Sequence, residues 1–214
     1  MASHMDLIRY AEAEVIARDG VSAATFGDLY REAPPWEIGR PQPEVVRLES
    51  AGLFRGTILD IGCGTGENAI FLASKGYQVC AIDFVPQVIA LARSNARARN
   101  LSVDFASCDA LEFAPEGRSF DTLLDCATFH TFSDRQRVAY TKTLYALSRP
   151  NARLHLICFS ELEDRVGGPR RVSIREIANA FGEQWDVLSV RPSRYLATWA
   201  ADGMRAWTAE LQRR

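Results

Sequence analysis

The segment from Ile58 to Ala69 reads Ile-Leu-Asp-Ile-Gly-Cys-Gly-Thr-Gly-Glu-Asn-Ala and constrains the fold more than any other part of the chain. Its first four residues predict a buried strand, and its three alternating glycines predict a tight turn that opens a helix. A ligand can approach the free N–H groups at such a helix N-terminus closely. Because an acid, Asp60, precedes the first glycine, the segment predicts a nucleoside cofactor site on an α/β sheet.

The spacing of Gly62, Gly64 and Gly66 is G-x-G-x-G, whereas a dinucleotide fingerprint reads G-x-G-x-x-G. A carboxylate at Asp60 would repel a pyrophosphate but could attract an ammonium group, directly or through water. With this turn the chain resembles the class I S-adenosylmethionine-dependent methyltransferases, whose first motif is D/E-x-G-x-G-x-G. The resemblance implies S-adenosyl-L-methionine as cofactor and S-adenosyl-L-homocysteine as product. The alternative is a Rossmann-like sheet that binds another nucleotide.

Further strands follow the glycine turn, and acidic residues mark several of their ends. We predict strands at Gln78–Ile82, Ser102–Ala106, Phe120–Leu124 and Arg153–Phe159. Asp83, about 20 residues past the glycines, is placed to accept the ribose hydroxyls. The resemblance places the adenine beside Cys108-Asp109-Ala110. We assign the full cofactor set to Trp36, Asp60, Gly62, Cys63, Gly64, Gly66, Asn68, Asp83, Phe84, Cys108, Asp109, Ala110, Asp125 and Cys126.

Helices are predicted between these strands, which gives an α/β fold. The predicted helices are Asp6–Arg18, Pro43–Ala51, Gly66–Lys75, Pro86–Arg99, Ser133–Ser148 and Ser173–Phe181, the last two opened by capping boxes. Trp185–Tyr195 and Met204–Leu211 predict a terminal antiparallel hairpin with its turn at Asp202-Gly203. The family resemblance likewise implies a Rossmann-like seven-stranded sheet, parallel except for its last strand, with helices on both faces.

Length and composition fit one domain of residues 5–214, with a helical and loop cap at about residues 6–50. Residues 1–4 resemble a vector remnant. The five cysteines form no C-x-x-C pair, and we expect neither disulfides nor a bound metal. The net charge of −2 argues against a nucleic-acid partner, and no apolar run suggests a membrane span. We therefore expect a cytoplasmic enzyme, and the sequence leaves monomer and dimer open.

The loop after the fourth strand, Asp125 to Phe132, is predicted to face the transferred methyl group. It contains His130, our candidate for a general base or for a hydrogen-bond partner that orients the substrate. The alternative is a histidine that braces the loop. For Asp125, contact with the methionine part of the cofactor and a structural role remain open. His155 lies inside a predicted strand and is interpreted as a core residue.

Aromatic residues are the candidate walls of the substrate site. Tyr30, Trp36, Phe129 and Phe132 could stack a flat substrate, with core packing as the alternative for each. Trp36 is the strongest of the four, because it lies in a proline- and glycine-rich segment with no helix or strand stripe to join. Arg170, in the segment Gly167 to Arg171, could contact a polar substrate edge from a lid, or could be a solvated arginine beside a helix start.

Two further segments narrow the resemblance to a subfamily. The residues from Pro35 to Pro43 resemble the P-W-x-x-G-x-P-x-P loop of small thiopurine, thiol and halide methyltransferases. Leu156 to Ser160, with Gly168 to Val172, resembles the actinobacterial heterocyclic-toxin methyltransferases. No N-P-P-Y element follows the fourth strand, which disfavours methylation of a nucleic acid base, and no Asp-Asn pair follows the fifth, which disfavours a magnesium site.

These features favour a small-molecule methyltransferase that acts on an oxygen or nitrogen of an aromatic heterocycle, in detoxification or natural-product tailoring. A thiol or halide acceptor is the first alternative. The second is a protein that binds S-adenosylmethionine without methyl transfer, as a sensor or a cyclase.

Overall fold

The computed structural model describes Tyr30, residues 34–165 and residues 168–214. The predicted helix Asp6–Arg18 therefore lies outside the described residues, as does most of the predicted cap before residue 34. Seven strands and five α-helices are described. In chain order they are α1 Pro43–Ser50, β1 Thr57–Ile61, α2 Glu67–Ser74, β2 Gln78–Asp83, α3 Pro86–Ala98, β3 Asp104–Ser107, β4 Phe120–Cys126, α4 Asp134–Leu147, β5 Ser148–Phe159, α5 Ile174–Phe181, β6 Trp185–Ala197 and β7 Ala200–Arg213.

The strands form one sheet in the order β3-β2-β1-β4-β5-β7-β6. The first five strands in chain order pair in parallel, and β7 runs antiparallel to both β5 and β6. This confirms the predicted seven-stranded α/β fold. The direction in which the chain adds strands reverses between β1 and β4, so the crevice for a ligand is expected above the C-terminal ends of these two strands.

Successive residues of a strand point to opposite faces of the sheet, and both faces are buried. Ile58 belongs to one buried cluster, with residues of α1, α2 and α3, whereas its neighbour Leu59 belongs to a second, with residues of α4 and α5. Both residues are fully buried. A sheet covered on both sides needs such continuous apolar strands, and this is why hydrophobic runs were informative in the sequence.

The capping boxes before α4 and α5 are both present. The Ser133 hydroxyl accepts the Gln136 N–H while the Gln136 side chain accepts the Ser133 N–H. Ser173 and Glu176 repeat this arrangement at α5. Each box satisfies N–H groups that a helix start would otherwise leave without partners. The predicted starts of these two helices are confirmed.

The predicted turn of the terminal hairpin is wrong. Ala197 pairs with Ala200, so the turn is formed by Thr198 and Trp199. The register shifts between Tyr195 and Ala197, and Gly203 has a φ of +73° within β7. Asp202-Gly203 therefore forms a bulge inside the strand, because a glycine with positive φ suits a bulge as well as a turn.

Candidate active site

A cavity of about 340 Å³ opens above the C-terminal ends of the central strands. It brings together fourteen of the predicted site residues, namely Tyr30, Trp36, Gly62, Cys63, Gly64, Asn68, Asp83, Phe84, Cys108, Asp109, Ala110, Cys126, His130 and Phe132. Five others, Asp60, Gly66, Asp125, Phe129 and Arg170, do not line it. The strand-end position of the acidic residues is what made most of the lining predictable.

The glycine turn after β1 is held against the end of β2. Asp83 accepts the Gly64 N–H and the Val85 N–H, each at 3.0 Å. Burial raises the pKa of Asp83, while these N–H donors favour its charged form. A carboxylate has room for further donors, so Asp83 can still accept hydroxyl groups from a ligand in the cavity.

The three glycines have different neighbours. A Cβ on Gly64 would lie 2.9 Å from both the Glu37 carboxylate and the Tyr30 hydroxyl. A Cβ on Gly62 would overlap the Thr128 side chain. Gly66 packs against Phe105 and Ala92 instead and has a φ of +86° at the start of α2. Gly66 therefore packs against β3 and α3 and does not line the cavity, and its predicted place beside the cofactor stays a prediction.

Asp60 is buried behind the glycine turn. Neither of its carboxylate oxygens makes a hydrogen bond of ordinary geometry to the described residues. Burial and the charges of Asp125 and Asp83 raise its pKa to about 7, with only the Ala69 N–H favouring the charged form. A buried carboxylate without a partner is costly. A cation or an ordered water beside Asp60 would remove this cost, and the ammonium of S-adenosylmethionine fits that requirement.

Asp125 organises the loop after β4. Its side chain accepts the N–H groups of Thr128 and Phe129 and the hydroxyl of Tyr140, the last at 2.6 Å. Burial raises the pKa of Asp125 to about 6, although these hydrogen-bond donors favour its charged form. Since its hydrogen bonds shape the short 3-10 helix Phe129–Thr131, the geometry favours the structural alternative for Asp125 over contact with a ligand.

His130 lies in that 3-10 helix and lines the cavity. Its Nδ1 accepts the Phe159 N–H at 3.0 Å, which fixes the neutral ring with its proton on Nε2. Burial, together with the positive charges of Arg137 and Arg171, lowers the pKa of His130 to about 3. This geometry favours a loop brace or a hydrogen-bond donor over a general base.

Phe129 and Arg170, predicted to contact the substrate, do not line the cavity and make structural contacts instead. The Phe129 ring is fully buried, 5.4 Å from the Phe181 ring, and the Arg137 guanidinium lies 4.3 Å from its centroid. Arg170 forms ion pairs with Asp134 and Glu176, which join the starts of α4 and α5. His155, in contrast, is confirmed as a core residue, with Nε2 at 3.0 Å from the Leu53 carbonyl.

Sequence reasoning missed several cavity residues, including Glu37, Thr128, Gln136, Phe159, Tyr195 and Trp199. Glu37 lies beside Trp36 in the proline-rich segment, and its carboxylate accepts the Thr65 hydroxyl over the glycine turn. The Trp36 indole donates to the Tyr30 hydroxyl at 3.0 Å. Its position next to Trp36, a predicted site residue, was the one feature of the sequence that could have identified Glu37 as a cavity residue. Tyr195 and Trp199 come from the hairpin whose turn was misplaced.

The segment around Trp36 is tied to both ends of the cavity. The Gln42 backbone N–H donates a hydrogen bond of 2.9 Å to the side-chain oxygen of Asn68, which lies on α2. Its side chain exchanges hydrogen bonds with the Leu196 backbone, and the Thr198 N–H donates to the Pro35 carbonyl at 2.7 Å. The segment therefore covers the cavity between the glycine turn and the terminal hairpin.

Comparison with known proteins identifies the family. A model described as a methyltransferase domain matches residues 58–151. A 2-heptyl-1-hydroxyquinolin-4(1H)-one methyltransferase of Mycobacteroides abscessus is 32% identical over 167 residues, which cover 77% of this chain and 74% of that protein. A probable thiol methyltransferase of Arabidopsis thaliana is 30% identical over 67% of this chain and 65% of its own length.

Two solved structures share the fold. One, from work on the conversion of a disulfide bond into a thioacetal group during echinomycin biosynthesis, is 32% identical with a TM-score of 0.81 and covers 90% of this chain and 93% of its own. The [4+2]-cyclase SpnF shares the fold at 19% identity and a TM-score of 0.67, over 80% of each chain. The chain belongs to the class I S-adenosylmethionine-dependent methyltransferases. Its cofactor is S-adenosylmethionine, and it is a small-molecule methyltransferase.

Among the described residues, no helix is long and apolar enough to cross a membrane.

Proposed function

We propose that the protein transfers a methyl group from S-adenosylmethionine to an oxygen or nitrogen of a small aromatic heterocycle, in detoxification or natural-product tailoring. The observation that carries the proposal is one continuous cavity that joins the glycine turn to a set of aromatic side chains. These are Trp36, Phe132, Phe159, Tyr195 and Trp199. Flat rings stack favourably on such walls, at about 0.5–1.5 kcal/mol for each pair.

The cofactor end of the cavity suits each part of S-adenosylmethionine. Asp83 has the position and the spare acceptor capacity to bind the ribose hydroxyls. Asp60, buried with only the Ala69 N–H to favour its charged form, compensates the ammonium charge, directly or through water. Cys108, Asp109 and Ala110, at the end of β3, lie where the adenine is expected. When bound, the cofactor supplies an activated methyl group on a sulfonium.

The substrate end of the cavity works by position and by exclusion of water. His130, Thr131 and Gln136 are the polar groups there, among apolar and aromatic neighbours. Methyl transfer is an in-line displacement, so a flat acceptor held between aromatic rings gains most from fixed orientation. His130 hydrogen-bonds to the Ala127 backbone as well as to the Phe159 N–H, so this neutral ring is suited to orient the acceptor by holding the loop in place. A cavity of about 340 Å³ favours a small acceptor over a nucleic acid.

A sulfur acceptor is the second candidate. Two relatives support it, the probable thiol methyltransferase of Arabidopsis thaliana and the protein from work on the conversion of a disulfide bond into a thioacetal group. Both candidates need the same cofactor end and differ only in the acceptor. The relative that acts on a hydroxyquinolinone favours the heterocycle, because the aromatic walls of the cavity suit a fused ring better than a small thiol.

The test is a methylation screen with isotopically labelled S-adenosylmethionine. The acceptors are 2-heptyl-1-hydroxyquinolin-4(1H)-one, quinolin-4-ol and a set of aromatic and aliphatic thiols. Labelled methyl on the hydroxyl or ring nitrogen of a quinoline supports the proposal. Labelled methyl on thiols alone would establish the second candidate. Tight cofactor binding with no product from any acceptor would favour a protein that uses its cofactor without methyl transfer.

A further inference from the structure

Three polar side chains line the acceptor end of the cavity from the loop after β4 and the start of α4. They are His130, Thr131 and Gln136, and aromatic rings such as those of Phe132 and Phe159 line the cavity beside them. A ligand that displaces water from a polar group without replacing its hydrogen bond loses affinity. The hydrogen bonds that these three side chains can still make therefore affect which heterocycles bind well.

Two of the three side chains are engaged by the protein itself. His130 hydrogen-bonds to the Ala127 backbone and accepts the Phe159 N–H at Nδ1. The Thr131 hydroxyl donates to the Thr128 carbonyl at 2.7 Å, so only its lone pairs remain for a ligand. Neither side chain offers a ligand a proton that is not already shared.

Gln136 differs, because the capping box uses only one end of its amide. Its Oε1 accepts the Ser133 N–H and the Ser133 hydroxyl, each at 2.9 Å. These bonds occupy both lone pairs of the oxygen, and they identify that end as oxygen, because a backbone N–H can only donate. The Nε2 group has no hydrogen-bond partner among the described residues and keeps accessible surface. Gln136 therefore presents a free donor in a side chain that lines the cavity.

The capping box of α5 shows that capping alone does not require this amide. There Glu176 holds the same position, and its Oε2 accepts the Ser173 N–H and the Ser173 hydroxyl at 2.8 and 2.9 Å. Its other oxygen pairs with Arg137 and Arg170. A glutamate would also suit the positive end of the α4 dipole. Gln136 caps its helix equally well but has a donor where Glu176 has an acceptor.

We propose that the Gln136 amide is a specificity-determining group that donates a hydrogen bond from Nε2 to a second heteroatom of the methyl acceptor. That atom is a pyridine-type ring nitrogen or a carbonyl oxygen, distinct from the atom that is methylated. The inference rests on the proposed function and narrows its substrate class to heterocycles with such an accepting atom. The capping box fixes the amide, so the contact orients the ring between the aromatic walls without movement of the helix.

The test compares ligands that differ by one ring atom. Quinolin-5-ol and quinolin-8-ol are matched with naphthalen-1-ol, and quinolin-6-ol and quinolin-7-ol with naphthalen-2-ol, so that a ring nitrogen replaces a C–H group. Calorimetry measures their affinities for the protein loaded with S-adenosylhomocysteine, at a pH where the ring nitrogen and the hydroxyl are neutral. At least one quinolinol is expected to bind roughly three- to tenfold more tightly than its naphthol. If no quinolinol binds more tightly than its naphthol, the proposal is overturned.

Two variants remove the donor. Gln136→Glu keeps the capping box, as Glu176 does in α5, but turns a carboxylate oxygen towards the ligand. Gln136→Met removes the donor without adding a charge. The ratio of quinolinol to naphthol affinity should fall to about one or below in both, because no N–H remains for the ring nitrogen. A ratio equal to that of the unaltered protein in both variants would overturn the role of Gln136.

Two controls separate this contact from stability and from charge. Ser133→Ala removes the serine half of the capping box but keeps the backbone N–H that holds the amide, so it should lower the melting temperature and leave the ratio unchanged. Arg40 is exposed and is the one lysine or arginine among the described lining residues. Arg40→Gln should also leave the ratio unchanged. Loss of the ratio in Arg40→Gln, with its retention in Gln136→Glu, would assign the contact to Arg40 instead.

The failure of this proposal is distinguishable from failure of the proposed function. The affinity ratio requires no turnover, whereas the methylation screen does. Labelled quinoline products together with a ratio of one would overturn the Gln136 contact alone. A ratio that depends on Gln136, with no methylated product from any acceptor, would support the contact and contradict the proposed methyl transfer.

Discussion

The backbone N–H of Phe159 donates a hydrogen bond of 3.0 Å to Nδ1 of His130, which joins the end of β5 to the loop after β4. Both residues line the cavity, and their rings lie 4.6 Å apart. The bond fixes the orientation of the imidazole and leaves Nε2 as its donor atom. The loop and the fifth strand therefore meet through a neutral histidine at the acceptor end of the site.

His130→Ala should destabilise the protein by about 1–3 kcal/mol, because the buried Phe159 N–H loses its acceptor. It should lower kcat/KM while leaving the pH dependence of kcat/KM unchanged, since the imidazole does not titrate near neutral pH. Urea denaturation and steady-state kinetics across pH measure both effects. His155→Ala, which removes a buried histidine outside the cavity, is the control for stability loss alone. Loss of the acidic limb in His130→Ala would instead assign the general base to His130.

Phe129 and Phe132 should respond differently to the same change. Phe129→Leu shortens a fully buried core side chain and should cost about 1–3 kcal/mol of unfolding free energy with little change in KM. Phe132→Leu removes part of the cavity wall and should raise the KM for a heterocyclic acceptor with a smaller loss of stability. The two variants are controls for each other in thermal melting and kinetics. A KM effect confined to Phe129→Leu would restore Phe129 as a substrate wall.

The raised pKa of Asp60 gives the protein free of ligands a pH-dependent stability. The folded chain holds a proton near pH 7 that the unfolded chain releases near pH 4, so the free energy of unfolding should fall as pH rises between these values. The fall from this group is at most about 4 kcal/mol, and Asp125 adds to it in the same direction.

Asp60→Asn should make this slope shallower and increase stability at about pH 8, as measured by urea denaturation at about pH 5 and about pH 8. Glu116→Gln, at an exposed site, serves as the control. The same slope in Asp60→Asn and in the unaltered protein would mean that Asp60 is ionised in the folded state throughout.

Gly64→Ala should weaken cofactor binding more than tenfold. Its φ of +55° disfavours a side chain, and the new Cβ would press Tyr30 and Glu37 away from the glycine turn. Gly76→Ala is a matched control, because Gly76 also has a positive φ but has open space around it. That change should cost about 1 kcal/mol of stability and leave cofactor affinity unchanged. Equal affinities in the two variants would contradict the close approach at Gly64.

Local patterns predicted much of the fold. Apolar runs such as Phe120–Leu124 and capping residues such as Ser133 specify strands and helix starts by local chemistry. The hairpin turn was misplaced because Asp202-Gly203 is a strong turn signal, and only pairing of Ala197 with Ala200 shows that Thr198 and Trp199 form the turn.

The site was predictable where one strand end determined it and unpredictable where distant segments meet. Asp83 is the last residue of its strand, so its position could be inferred from the sequence. The separation of Phe129 from Phe132 depends on Asp125, whose hydrogen bonds to the Thr128 and Phe129 N–H groups shape the 3-10 helix. Tyr195 reaches the cavity only through pairing of β6 with β7, which no local signal specifies.

The central claim is that the glycine turn and Asp83 hold S-adenosylmethionine, and calorimetric titration with S-adenosylhomocysteine tests it most directly. We expect saturable binding to the unaltered protein, no heat with NAD, and affinity about ten- to a hundredfold weaker in Asp83→Asn, because charge-assisted hydrogen bonds to the ribose are lost. Binding of NAD in place of S-adenosylhomocysteine, or equal affinity in Asp83→Asn, would contradict the account.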